Sequence, residues 1–346
     1  MWVRRALRRG LVVPAHPLAL TAARRFDERR QRALTRYYLD AGAGGLAIGV
    51  HTTQFAIHEP KRGLLYPVLQ LGIDTVCDWR GAARRPVMIA GVIGKTRQAT
   101  GEAQLARDLG YDAALVSLAA LQRAPTAVLV AHVRAIADVI PVMGFYLQPA
   151  VGGRTLSYQF WRKFVEIENV VAIKVAPFDR YATLDVIRAV VDSGRAAEIA
   201  LYTGNDDHIL LDLLTRHRIG RSRPIRMVGG LLGHWAYWTR AAVAQLAVCE
   251  RAVQAGAPIP AGLLTLAAQV TESNAAVFDV ANVFRGCIPG IHEVLRRQRL
   301  LAGRWCLDPA EELSNGQAKE IERVCLAYPQ LTDDEFVRQG IDRWMR

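Results

Sequence analysis

The chain has 346 residues, 51% of them hydrophobic and 22% charged, which excludes disorder as an overall description and affords a large core. Its formal net charge is +12, from 44 Lys+Arg against 32 Asp+Glu, and only five of those basic residues are lysines. The five cysteines at 77, 249, 287, 306 and 325 form no CxxC pair, which excludes a disulfide framework or zinc knuckle and fits a reducing cytoplasm.

The N-terminus is basic and then apolar, a superficial signal-peptide pattern. Pro14, His16 and Pro17 interrupt it, and the segment reads as a first strand at residues 11–15. Further β-branched apolar runs at 45–50, 86–91, 113–117 and 141–147 predict strands two to five. Runs at 170–174, 198–203 and 225–230 predict strands six to eight. Amphipathic stretches near 27–41, 60–76, 97–109 and 125–138 separate the earlier strands, and 157–167, 181–193, 205–216 and 234–255 the later ones. Asp27 or Thr21 is expected to cap the first helix, Ser157 the fifth, and Asn205 or Asp206 the seventh; Pro60 and Pro125 suit first turns.

Near-continuous apolar strands alternating with helices indicate a parallel sheet buried on both faces. Eight such units over residues 11–255 match the size of an α/β (β/α)8 TIM barrel. A doubly wound sheet would carry a glycine fingerprint in its first turn, and residues 13–17 have no glycine. After Pro258 and Pro260 the strands stop, and helical stretches near 262–284, 288–301 and 308–327 follow. The division expected is a barrel over residues 1–256 and a C-terminal helical region, 257–346, packed on it.

No apolar run reaches the roughly 18 residues of a spanning helix, so no membrane association is expected. Arginine pairs such as Arg84-Arg85 and Arg296-Arg297 are scattered over helical stretches without an RNP-like aromatic motif. They read as solvated helix faces, and no nucleic-acid partner is expected.

Barrel chemistry sits at the C-terminal ends of the strands. Strand six ends Val170-Val171-Ala172-Ile173-Lys174. Such a lysine either snorkels to solvent or is desolvated, and desolvation yields a neutral amine able to form an imine with a ketone. Strand five ends with Tyr146, either a proton relay aimed at that amine or a core tyrosine. Strand two runs into His51-Thr52-Thr53, whose hydroxyls and backbone N–H groups could hold a carboxylate or simply end the strand.

Taken together these pieces resemble the dihydrodipicolinate synthase/N-acetylneuraminate lyase family of class I aldolases. The Tyr146–Lys174 separation of 28, the Tyr146-x-x-Pro149 motif, the Ile89–Gly94 run with Thr96 and Ala103, and Gly110-Tyr111-Asp112-Ala113 all match its pattern. The resemblance covers roughly residues 10–300. It implies that Lys174 forms the imine with pyruvate or another 2-oxo acid and that Tyr146 shuttles protons. Thr52 would hydrogen-bond Tyr146, and Thr53 would hold the carboxylate. His51, Gly229 and Arg154 are further candidates for substrate binding. No metal or organic cofactor is implied, and a homodimer or homotetramer is.

The departures concern the second substrate. His51 replaces the glycine before the threonine pair, Gln54-Phe55 replaces Gly-Glu, and Val151 stands where the synthase has its arginine. The inter-subunit tyrosine segment is Ser117-Leu118-Ala119-Ala120. Phe55, Phe178 and Trp235 near strand ends suit an apolar reactant. The expected activity is therefore a Schiff-base lyase or aldolase with a different second substrate. The alternatives are an imine-dependent dehydratase or hydratase-aldolase, or a non-catalytic anion-binding barrel.

Three motifs carry less. Gly94-Lys95-Thr96 ends like a P-loop, but Ile89 stands at its first glycine. The Gly204-Asn205-Asp206-Asp207-His208 turn reads as a helix start rather than a metal cluster. His51 and His58 lack a third ligand.

Overall fold

The computed structural model describes residues 2–79 and 84–346. Eight parallel strands appear in chain order: β1 (Val12–Pro14), β2 (Gly45–Ile48), β3 (Val87–Val92), β4 (Ala113–Val116), β5 (Val142–Leu147), β6 (Val170–Ala176), β7 (Ala200–Thr203) and β8 (Met227–Leu232). They are hydrogen-bonded in the order β1-β8-β7-β6-β5-β4-β3-β2. A parallel bridge between Ala15 and Ala47, with the His16 N–H donating to Ala47 O at 2.8 Å, brings β1 onto β2 and closes the ring.

A helix α1 (Trp2–Arg8) precedes β1. Each strand is then followed by one helix: α2 (Glu28–Ala41), α3 (Leu65–Asp78), α4 (Thr96–Leu109), α5 (Thr126–Ala137), α6 (Tyr158–Phe164), α7 (Arg180–Asp192), α8 (Ile209–Leu214) and α9 (Thr239–Ala255). Four more close the chain: α10 (Ala261–Val277), α11 (Cys287–Arg297), α12 (Gln317–Ala327) and α13 (Asp334–Trp344). This is a (β/α)8 TIM barrel with C-terminal helices. None of the helices among the described residues is long and apolar enough to cross a membrane.

Strand residues alternate between two cores. Val13, Ala47, Ile89, Leu115, Met143, Phe145 and Leu231 fill the barrel, whereas Leu46, Met88, Ala114 and Leu201 face the helices. β1 falls within the first strand expected at residues 11–15, and the residues ahead of it form a helix not expected from the sequence. Val3 and Leu7, four apart, form one apolar helical face that the open N-terminal end of the barrel buries. Tyr202 seals that plug by donating its hydroxyl to Leu7 O at 2.7 Å. The plug leaves only the opposite end of the barrel for a site.

Helix starts follow local chemistry where side chains are free to cap. Asp27 accepts from Arg30 N–H at 3.1 Å and Ser157 from Phe160 N–H at 3.2 Å. Neither Asn205 nor Asp206 caps α8, which begins after His208; both are turned to other partners. The C-terminal helices are shorter than the apolar pattern suggests, and α13 is an additional one. Its Trp344 packs 5.4 Å from the Tyr37 ring of α2, and the Tyr37 hydroxyl donates to Asp333 Oδ2 at 2.7 Å.

Candidate functional site

Lys174 projects into the barrel two residues before the end of β6 and is 7% exposed. It lines a cavity of about 50 Å³ at the C-terminal mouth, together with the polar residues His51, Thr52, Gln148 and Asp206. The remaining wall is apolar, with Phe145, Leu147, Val151, Phe178, Phe278 and Phe284 prominent. Phe278 and Phe284 come from the C-terminal region, so those helices help build the site. Phe178 and Phe284 stack edge-to-face 5.7 Å apart over the opening. Both hold positive φ, +53° and +64°, a conformation costing a non-glycine residue roughly 1–2 kcal/mol that surrounding packing must offset.

Beneath Lys174 runs the turn after β7. Gly204 lies so close that a Cβ there would come within 2.7 Å of Lys174 Cε and of Ala176 Cβ. Two residues on, Asp206 is 6% exposed and accepts the His234 N–H through Oδ1 at 3.1 Å. Burial lowers the Lys174 amine from the usual lysine range, with Asp206 opposing the shift, and burial raises the Asp206 carboxyl, with Lys174 opposing. The two proton affinities are therefore drawn towards each other. His51 is pushed down to about 4 by burial, with the Lys174 charge adding to it, and is neutral at physiological pH.

Tyr146 sits elsewhere. Its ring faces the helices and tilts against Trp161 at 5.4 Å. The hydroxyl donates to Leu156 O at 3.2 Å and accepts Leu156 N–H at 3.1 Å. β5 alternates regularly, with Val142 outward, Met143 and Phe145 inward and Tyr146 outward, while its neighbour β6 carries a bulge. Val142 pairs with Val170, a spacing that would bring Tyr146 level with Lys174. Immediately afterwards the register shifts, Met143 pairs with Ala172, and Phe145 stands opposite Lys174 instead. The extra residue lies in β6, where Val171 and Ala172 both turn inward, so it is Lys174 that moves to the cavity face while Tyr146 keeps the outward face that β5 gives it. Lys174 Nζ accordingly lies 4.3 Å from the centre of the Phe145 ring.

Tyr146→Phe is therefore expected to leave chemistry at Lys174 within about twofold of wild type. It should lower stability by about 1–3 kcal/mol, because Leu156 loses partners in a buried setting. Chemical denaturation beside a Lys174 modification assay checks both; a large loss of reactivity at native stability would contradict this placement.

The other sequence-predicted positions divide. Thr52 lines the cavity, but its hydroxyl donates to Ala15 O at 2.7 Å rather than to Tyr146. Thr53 is fully buried, donates to His16 O at 2.6 Å and accepts the Gly49 and Val50 N–H groups at 3.0 and 3.2 Å, so it builds the β2 turn instead of facing a ligand. Arg154 is tied to the Leu121 and Ala124 carbonyls and lies outside the Lys174 cavity. Gly229 lies towards the plugged end, where a Cβ would strike Leu11 O at 2.4 Å; Gly233, the residue after β8, is the glycine there that lines the cavity. Phe55 and Trp235 also lie outside the lining, the latter buried against Gly230.

Asp206 is the residue that sequence reasoning assigned to a different task. Its position two residues beyond a glycine at a strand end was the available clue. Among the described residues no cluster of three His, Cys, Asp or Glu is arranged to hold a metal. Thr96 is engaged by His132 at 2.9 Å, and His58 spans Glu102 at 3.0 Å and Gly49 O at 2.8 Å.

A plugged (β/α)8 barrel with a buried lysine in its open mouth is the class that fold and cavity define. The profile described as the dihydrodipicolinate synthetase family matches residues 12–220, and the chain belongs to that family. It is 30% identical over 206 residues to 4-hydroxy-tetrahydrodipicolinate synthase of Acidothermus cellulolyticus, a match spanning 58% of this chain and 61% of that protein. Among solved structures, a prophage protein of the dihydrodipicolinic acid synthase family from E. coli, in complex with pyruvate, superposes with TM-score 0.73 at 20% identity, over 93% of this chain and 98% of that one. N-acetylneuraminate lyase from Fusobacterium nucleatum complexed with pyruvate gives 0.71 at 16% identity, covering 94% and 99%. These likenesses concern the fold.

Proposed function

We propose that this protein is a Schiff-base-forming lyase or aldolase acting on pyruvate or a related 2-oxo acid. The observation that carries the reading is Lys174, an amine buried in the open end of the barrel with its proton affinity lowered by desolvation. Two proteins of the same fold are described as pyruvate complexes, which supports the choice of acid. A neutral amine attacks the 2-oxo carbon, and the resulting iminium withdraws electrons from the neighbouring C–C bond.

The second reactant differs from that of the synthase. Val151 lines the cavity and Arg154 does not, so among the described residues lining it none offers a guanidinium for a bidentate grip on a second carboxylate. Aromatic walls from Phe145, Phe178, Phe278 and Phe284 favour an apolar carbonyl partner.

One preparation tests both statements. Borohydride reduction in the presence of pyruvate is expected to attach the three-carbon acid to the Lys174 peptide, read by mass spectrometry. Condensation of pyruvate with aspartate semialdehyde should be weak or absent. Failure to trap any adduct overturns the Schiff-base reading, and efficient condensation overturns the substrate assignment.

A further inference from the structure

We infer that Asp206 is the proton-transfer group for chemistry at Lys174, the task that its outward orientation denies to Tyr146. The inference rests on the Schiff-base reading above and deepens it.

Three observations place Asp206 there. It is the carboxylate lining the Lys174 cavity, and the turn carrying it lies directly under the lysine, with Gly204 pressed on Lys174 Cε. Its orientation is fixed, because Oδ1 holds the His234 N–H and its own N–H donates to Gly204 O at 3.1 Å. Oδ2 has no hydrogen-bond partner among the described residues and is free for a proton or a substrate atom. The other polar neighbours fit the task less well. Thr52 has given its hydrogen to Ala15 O, the Gln148 amide is neither a useful acid nor a useful base, and burial lowers the His51 imidazole to about 4, too weak a base for the C3 proton.

The proton count closes with this pair alone. Starting from neutral amine and protonated carboxyl, Lys174 Nζ bonds to the 2-oxo carbon and the carbonyl oxygen becomes a hydroxyl. Asp206 supplies its proton, the amine supplies another, the C–O bond breaks, and water leaves. The products are the iminium, which retains one N–H, and the Asp206 carboxylate. That carboxylate then removes a proton from the adjacent C3 carbon, leaving the C–H electron pair as the enamine double bond.

The test follows exchange of the pyruvate methyl hydrogens for deuterium by NMR, alongside borohydride trapping. Wild type is expected to trap and to exchange. Asp206→Asn keeps an oxygen for the His234 N–H, so its melting curve should resemble wild type. It should nevertheless exchange about 10²–10⁴-fold more slowly, the usual loss for a missing acid–base group. Asp206→Glu should recover part of the rate, and formate added to Asp206→Ala should recover some more. Should Asp206→Asn be unfolded, the Glu variant and the formate rescue still decide the point: no recovery in either overturns the inference. Exchange by folded Asp206→Asn at the wild-type rate overturns it too while leaving imine chemistry intact. Absence of trapping in wild type would instead remove the Schiff-base reading and this inference together.

Discussion

Lys174→Ala is expected to abolish borohydride-trapped pyruvate and every activity that follows from it. The head group makes no salt bridge with any described carboxylate, and the flanking Ile173 and Val175 that face the helices are untouched. The fold should therefore persist, and circular dichroism together with intact mass after reduction separates the two effects. Lys174→Arg should be equally inactive, since a guanidinium stays protonated and cannot attack a carbonyl. In the wild-type protein the rising limb of the trapping rate with pH should lie well below the range of an ordinary lysine. The sign follows from the reactive form: the neutral amine attacks, burial stabilises that form, and so less alkali is needed to generate it. Asp206 opposes this displacement, so a trapping profile centred at the usual lysine range would show that the cavity is wet.

Gly91→Ala should be strongly destabilising, because the added methyl meets only backbone. Gly91 points into the barrel from β3, and a Cβ there would fall 2.0 Å from Gly49 O, 2.5 Å from Gly49 C and 3.1 Å from Val50 N. All three are backbone atoms, so no side-chain rotation relieves the clash. Gly49 itself holds φ +78° and its carbonyl is bridged by His58 to Glu102, which prevents the turn from yielding freely. Overpacking of this kind costs about 3 kcal/mol or more. The turn that must move carries His51 and Thr52, so trapping of pyruvate should fall along with the denaturation midpoint. Normal stability and normal trapping in Gly91→Ala would contradict the close crossing of the β2 turn over β3.

Read from one end, the chain already specifies most of this architecture. Short β-branched runs alternating with amphipathic stretches place eight strands and their helices, because burying a parallel sheet on both faces demands that pattern whatever the partners are. Lys174 was legible for the same reason: a charge ending four apolar residues is conspicuous when only five lysines occur in the chain. Asp27 and Ser157 were legible as caps, since a cap is a contact made within four residues.

What escaped depends on contacts far apart in the chain. The apolar face of Val3 and Leu7 becomes a helix because an open barrel end is present to bury it. Phe278 and Phe284 reach the cavity only when the C-terminal helices fold back. The separation of Lys174 from Tyr146 was decided by the shift at Val142/Met143, where two successive residues of β6, Val171 and Ala172, both turn inward. Side chains alternate with a period of two along a strand, so a bulge of one residue in β6 turns the lysine into the cavity and leaves Tyr146 in the outer core without changing their sequence distance. Spacing along the chain counts residues; the tertiary register decides which of them meet.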